Sequence, residues 1–153
     1  MSITITQGVE QARAGTHHAL VCRVPSGWVV LCEMQYLSGY CIHMPDPVVP
    51  NLNALDAAQR MRYLLDMSTI GDALLEVTGA YRINYAIMGN SDPALHAHIV
   101  PRYRSEPEPY RANTPWSYPK EVMDTTLFDE ERDAKMIAKL SEAIEKKVRV
   151  MGL

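Results

Sequence analysis

The stretch that most restricts the fold is Ala94-Leu95-His96-Ala97-His98-Ile99-Val100-Pro101-Arg102. A strand sends successive side chains to opposite faces. Read as a strand over 94–100, this run sets Ala94, His96, His98 and Val100 on one face and Leu95, Ala97 and Ile99 on the other. The second set belongs in a core, and the first presents two imidazoles side by side. Met88-Gly89-Asn90-Ser91-Asp92-Pro93, just ahead, is a dense turn signal. The other segments must fit a sheet with a core on one side and a histidine pair on the other.

Residues 4–14 suit a short helix stopped by Gly15, and His17-His18 fall in a polar connection. Strands are expected over 19–24, 28–32 and 40–44, with turns at Pro25-Ser26-Gly27 and Ser38-Gly39, and together they read as a meander. The prolines of Pro45-Asp46-Pro47-Val48-Val49-Pro50 exclude helix and central strand there. A long helix is predicted from about Asp56 to Thr78, with Asp56 as N-cap, Gln59 completing a capping box and Gly79 as the stop. It carries two apolar stripes, Met61, Leu64, Leu65 and Leu75 on one side and Met67, Ile70, Leu74 and Val77 on the other. A helix apolar on two sides needs two covers, here the sheet and a second subunit.

A fourth strand is expected over 83–88. Residues 103–128, with Tyr110, Pro115, Trp116 and Tyr118, read as an ordered irregular segment packed on the body. A last helix over about 129–148 buries Ile137, Leu140, Ile144 and Val148, and its acidic start and basic end suit the helix dipole. The predicted class is α+β: a five-stranded, mainly antiparallel sheet with helices packed on one face. One domain is expected over 1–153, with its core at about 19–103 and an irregular segment and helix at 104–153.

A net charge of −3 gives no support to a broad nucleic-acid surface, though a small anionic ligand needs only a local site. No apolar run approaches the roughly 18 residues of a membrane-spanning helix. Polar residues including Glu10 and Arg13 near the start do not read as a secretory signal. Cys22, Cys32 and Cys41 are odd in number and lack C-x-x-C spacing, so they read as buried small side chains in a reducing, cytoplasmic setting.

A neutral imidazole offers one free nitrogen as a nucleophile, and a second imidazole can orient it or donate to an oxyanion. Attack on phosphorus gives a phospho-histidine-type intermediate that water later splits. Gly89-Asn90-Ser91 offers backbone N–H groups and small polar side chains for phosphate oxygens, and Arg102 adds positive charge. Spacing alone leaves two other readings of H-x-H open: an exposed pair, or two of three metal ligands with His43 as the third.

Asn84-Tyr85, Gly89-Asn90, Pro93 and Ala94-Leu95-His96-Ala97-His98-Ile99-Val100-Pro101-Arg102-Tyr103 resemble the histidine triad (HIT) superfamily, especially its bacterial diadenosine-polyphosphate-hydrolase-like branch. The likeness spans about residues 19–103. It implies a homodimer whose sheet continues across two subunits, a nucleotide substrate, and no cofactor or protein-bound metal. It implies that His96 attacks the α-phosphate to form a nucleotidyl-histidine, with release to water or another acceptor. His98 then supports the site, and Asn84 or Asn90, with Ser91 and Arg102, holds phosphate oxygens.

The sequence departs from the family pattern in three places. The first triad position is Ala94, the ribose-reading position falls at Cys32 beside Glu33, and the segment after Pro45 is Asp46-Pro47. These departures predict slow turnover or an altered substrate. The alternative is a nucleotide-binding protein that has lost catalysis.

Overall fold

A computed structural model describes residues 3–152. Strands β1 (Leu20–Val24), β2 (Gly27–Leu31), β3 (Cys41–Pro45), β4 (Arg82–Ala86) and β5 (Ala97–Arg102) form one antiparallel sheet in the order β1-β2-β3-β5-β4. The expected meander is the first three strands. β5 inserts between β3 and β4, which leaves β4 as an edge. The helices are α1 (Ile5–Ala14), α2 (Ala57–Thr78), the single turn α3 (Lys120–Met123) and α4 (Glu130–Val150).

Local chemistry sets the helix ends. Thr4 and Gln7 form a reciprocal capping box at α1, and Asp56 and Gln59 form one at α2. Gly15 and Gly79 end these helices in the left-handed region, at φ 72° and 71°, where a side chain is strained. α4 opens on the Asp129 cap and closes near Lys147 and Arg149.

The main core lies between one sheet face and α2 with α4. Val21, Val29, Leu31, Cys41, Ala97 and Ile99 meet Tyr63, Ile70, Leu74, Leu140 and Ile144 there. Burying each large apolar side chain contributes about 1.5–3 kcal/mol. Of the two α2 stripes, Ile70 and Leu74 are buried and Met67 packs beside them, whereas Met61, Leu65 and Leu75 are exposed.

The opposite sheet face, where the sequence reading set the histidine pair, carries a second core. Val30, Ile42, Met44 and Val100 pack there under Val9 of α1 and Tyr118 of the segment after β5. Residues 103–119 therefore form a strap over this face. Tyr36 Oη donates to the Pro115 carbonyl at 2.8 Å, and Tyr103 Oη donates to the Ser38 carbonyl.

The histidine strand also starts later than its alternation suggests, at Ala97 rather than residue 94. Leu95 N donates to the Val49 carbonyl at 2.8 Å, outside the sheet ladder. Asp92 Oδ2 accepts from Ile5 N at 2.7 Å and its Oδ1 from Ala94 N at 3.2 Å, which ties this loop to the start of α1. β4 likewise covers Arg82–Ala86 rather than 83–88. No helix among the described residues is long and apolar enough to cross a membrane.

Candidate active site

His98 lies in β5 opposite Ile42 of β3 and Ala86 of β4, so it faces the strap side of the sheet. His96 sits just before the strand and is 9% exposed. The two rings nevertheless meet edge to face, with centroids 5.0 Å apart. The structure thus brings the two predicted catalytic residues together, one from the ladder and one from the loop feeding it.

Hydrogen bonding assigns the His96 tautomer. Nδ1 lies 2.8 Å from the Ala94 carbonyl oxygen. A carbonyl only accepts, so Nδ1 carries the proton and Nε2 holds the free lone pair. His96 lines a cavity of about 330 Å³ with Pro50, Asn51, Ile87, Met88, Gly89, Pro93 and Leu95. The residue that carries this free nitrogen therefore lines a recess of that volume.

His98 is enclosed by aromatic rings, Tyr40 at 5.9 Å and Trp116 of the strap at 5.4 Å. Its Nδ1 is 2.7 Å from Tyr40 Oη. Burial, with His96 adding to it, lowers the His98 pKa from 6.5 to about 4. His98 is therefore neutral at pH 7 and carries one ring proton.

Arg102 is not a phosphate ligand in this arrangement, a correction to the sequence reading. It lies within β5, 2% exposed, and all its guanidinium nitrogens are engaged. Nε and Nη2 donate to the Glu106 carboxylate at 2.9–3.2 Å, Nη2 also donates to the Tyr110 carbonyl, and Nη1 donates to Asn84 Oδ1 and the Asn113 carbonyl. Burial alone would raise Glu106, but hydrogen bonds from Arg102, the Tyr103 amide and Tyr118 hold its carboxyl below the ordinary value. Arg102 fastens the strap.

Asn84, opposite Val100 on the His98 face, commits its carboxamide oxygen to this clamp and keeps only its N–H donors for a ligand. Asn90 and Ser91 sit exposed at the loop tip and do not line the cavity; Met88 and Gly89 do.

His43 cannot join His96 and His98 as a third metal ligand. Alternation in β3 turns it to the α2 face, where it stacks on Tyr63 at 4.2 Å and its Nε2 meets Ser26 Oγ at 2.9 Å. Burial drives its pKa down to about 3. Among the described residues, no three His, Cys, Asp or Glu side chains are grouped to hold a metal ion. Asp46 is also structural: Arg13 and the Trp28 indole bind its carboxylate.

The site and sheet define a small α+β protein with an imidazole lining a compact recess. No protein-family model and no curated protein matches the sequence. Solved structures do match. A histidine triad protein from Sinorhizobium meliloti is 19% identical with TM-score 0.69, over 81% of this chain and 87% of its own. A histidine triad protein from Marinobacter aquaeolei VT8 is 25% identical with TM-score 0.66, over 78% of this chain and 82% of its own. A hypothetical histidine triad nucleotide-binding protein from Sulfolobus tokodaii is 14% identical with TM-score 0.70, over 92% of each chain. The chain shares its fold with these histidine triad structures.

Proposed function

We propose that the protein cleaves a nucleoside phosphate or passes its nucleotidyl group to an acceptor, through His96. One observation carries this reading: the Ala94 carbonyl holds the His96 proton on Nδ1 and leaves Nε2 free, on a residue that lines the cavity. In the first step Nε2 forms a bond to the α-phosphorus and the bond to the leaving oxygen breaks. The leaving group departs with that electron pair. The nucleotidylated ring is cationic, and its Nδ1–H stays on the Ala94 carbonyl, which stabilises the charge. In the second step water attacks phosphorus, the P–N bond breaks with its electron pair returning to Nε2, the water's proton passes to the leaving group or to solvent, and the nucleoside monophosphate is released with His96 neutral again.

A second reading, nucleotide binding without turnover, draws support from the charge around His96. Position 94 is alanine and the Arg102 guanidinium is committed to the strap. The site therefore has fewer cations for a developing phosphate charge than the motif implies.

The test is a panel of adenylylated and guanylylated substrates, with mass spectrometry to trap a histidine adduct. An adduct on residue 96, together with loss of turnover but retained nucleotide binding in His96→Ala, supports catalysis. Nucleotide binding with no product from any substrate supports the second reading. Turnover unchanged in His96→Ala removes the first.

The assembly we propose is a homodimer. Met61, Leu65 and Leu75 of α2 are exposed, as are Tyr85 and Met88, in and just after edge strand β4, and the Tyr85 ring lies against Gly71 of the same helix. Large apolar side chains beside an unpaired strand edge suit a second copy.

A further inference from the structure

We infer that Tyr40 is a positioning residue: its hydroxyl donates to Nδ1 of His98, which places the His98 proton on Nε2 and makes that nitrogen the hydrogen-bond donor beside the nucleophile. The catalytic part of this inference rests on the reaction proposed for His96, but the tautomer assignment does not.

Tyr40 Oη and His98 Nδ1 are 2.7 Å apart. Either group can supply the proton, so the surroundings decide. Tyr40 is fully buried, and burial raises its phenol far above the usual value, so the hydroxyl keeps its proton at any working pH. That proton needs an acceptor. The neutral imidazole nitrogen of His98 is a strong one.

Among the described residues, His98 Nδ1 is the one hydrogen-bond partner of the Tyr40 hydroxyl. If His98 carried its proton on Nδ1, the buried Tyr40 proton would be left with no acceptor. The other arrangement satisfies both groups.

The two imidazoles then have opposite tautomers. The Ala94 carbonyl fixes His96 with its lone pair on Nε2, and Tyr40 fixes His98 with its proton on Nε2. With ring centroids 5.0 Å apart, a phosphoryl group on the first ring is within reach of the second. One nitrogen attacks; the other donates to an oxygen of the same group, where negative charge builds in the transition state.

Long-range proton–nitrogen correlation spectra of ¹⁵N-histidine-labelled protein at pH 7, without substrate, test the assignment, with His98→Gln identifying the signals. Wild type is expected to show His98 protonated on Nε2 and His96 on Nδ1. Tyr40→Phe is expected to shift the His98 nitrogens toward tautomer averaging and to lower kcat by about tenfold or more, with KM nearly unchanged. A wild-type His98 protonated on Nδ1 overturns the inference, as do unchanged His98 signals in Tyr40→Phe. The wild-type spectra decide the assignment even if that variant folds poorly. The stated tautomers in a protein that turns over no nucleotide would sustain the assignment and remove the reaction.

Discussion

Arg102 and Glu106, four residues apart, hold each other through three hydrogen bonds of 2.9–3.2 Å with both side chains almost fully buried. Removing one member strands a buried charge, whereas replacing both by apolar residues does not. Arg102→Met alone is expected to cost about 3–5 kcal/mol in urea unfolding. Arg102→Met with Glu106→Leu should cost less than Arg102→Met alone. Additive losses would show that the pair is not an energetic unit.

The strap seals His98 through the Trp116 indole, 5.4 Å from the imidazole. Burial is the main reason the imidazole is hard to protonate. Trp116→Ala admits water and should move the His98 midpoint up from about 4 toward the ordinary 6.5. A histidine titration followed by NMR reads this directly, and an unmoved midpoint would show that the indole does not control solvent access.

Stability should fall on acidification. His98 and His43 are held neutral, with pKa near 4 and 3 against 6.5 for a free imidazole. Below pH 6.5 the unfolded chain binds protons that the folded chain refuses, so unfolding becomes easier as pH drops. This contribution is fully present above pH 6.5 and is lost progressively toward pH 4 and 3. At about 1.4 kcal/mol per pH unit for each histidine, the loss reaches several kcal/mol. Denaturation midpoints at pH 7.5, 6 and 5 should decline in that order.

Gly27 opens β2 at the tight β1–β2 turn. A Cβ there would lie 1.9 Å from the Met44 carbonyl oxygen and 2.8 Å from Pro45 Cα, both backbone atoms with little room to yield. Gly27→Ala should therefore destabilise the fold by about 3 kcal/mol or more. The same change at Gly15, with nothing within 4 Å, meets only the left-handed backbone and should cost less. Thermal melts of the two variants give the comparison.

Met61 is 73% exposed on α2. If that stripe meets a second copy, Met61→Glu should shift the protein toward monomer in sedimentation equilibrium, with little change in its circular dichroism. A wild-type monomer at micromolar concentration would remove the proposed dimer.

Most of the architecture was legible because its signals are local. Asp56, Gln59 and Gly79 bound α2, and the turn residues separate the strands of the meander. What was not legible depends on distant partners. Every residue of β3 is buried, so alternation there could not say which face held His43. The start of β5 depends on Leu95 turning to Val49, and the role of Arg102 on carbonyls at residues 110 and 113. Glu106 stands four residues after Arg102, but that spacing pairs charges only on a helix, so at the end of a strand it gave no signal. Tyr40 gave a weak clue, since it shares the strand parity of Ile42, the residue opposite His98.

The proton on His96 is directed by a main-chain oxygen, which every amino acid carries. The side chain at position 94 can therefore be alanine while the His96 proton keeps its place on Nδ1. Under the proposed reaction, a substitution at position 94 would alter the charge beside the ring and leave the ring's orientation in place.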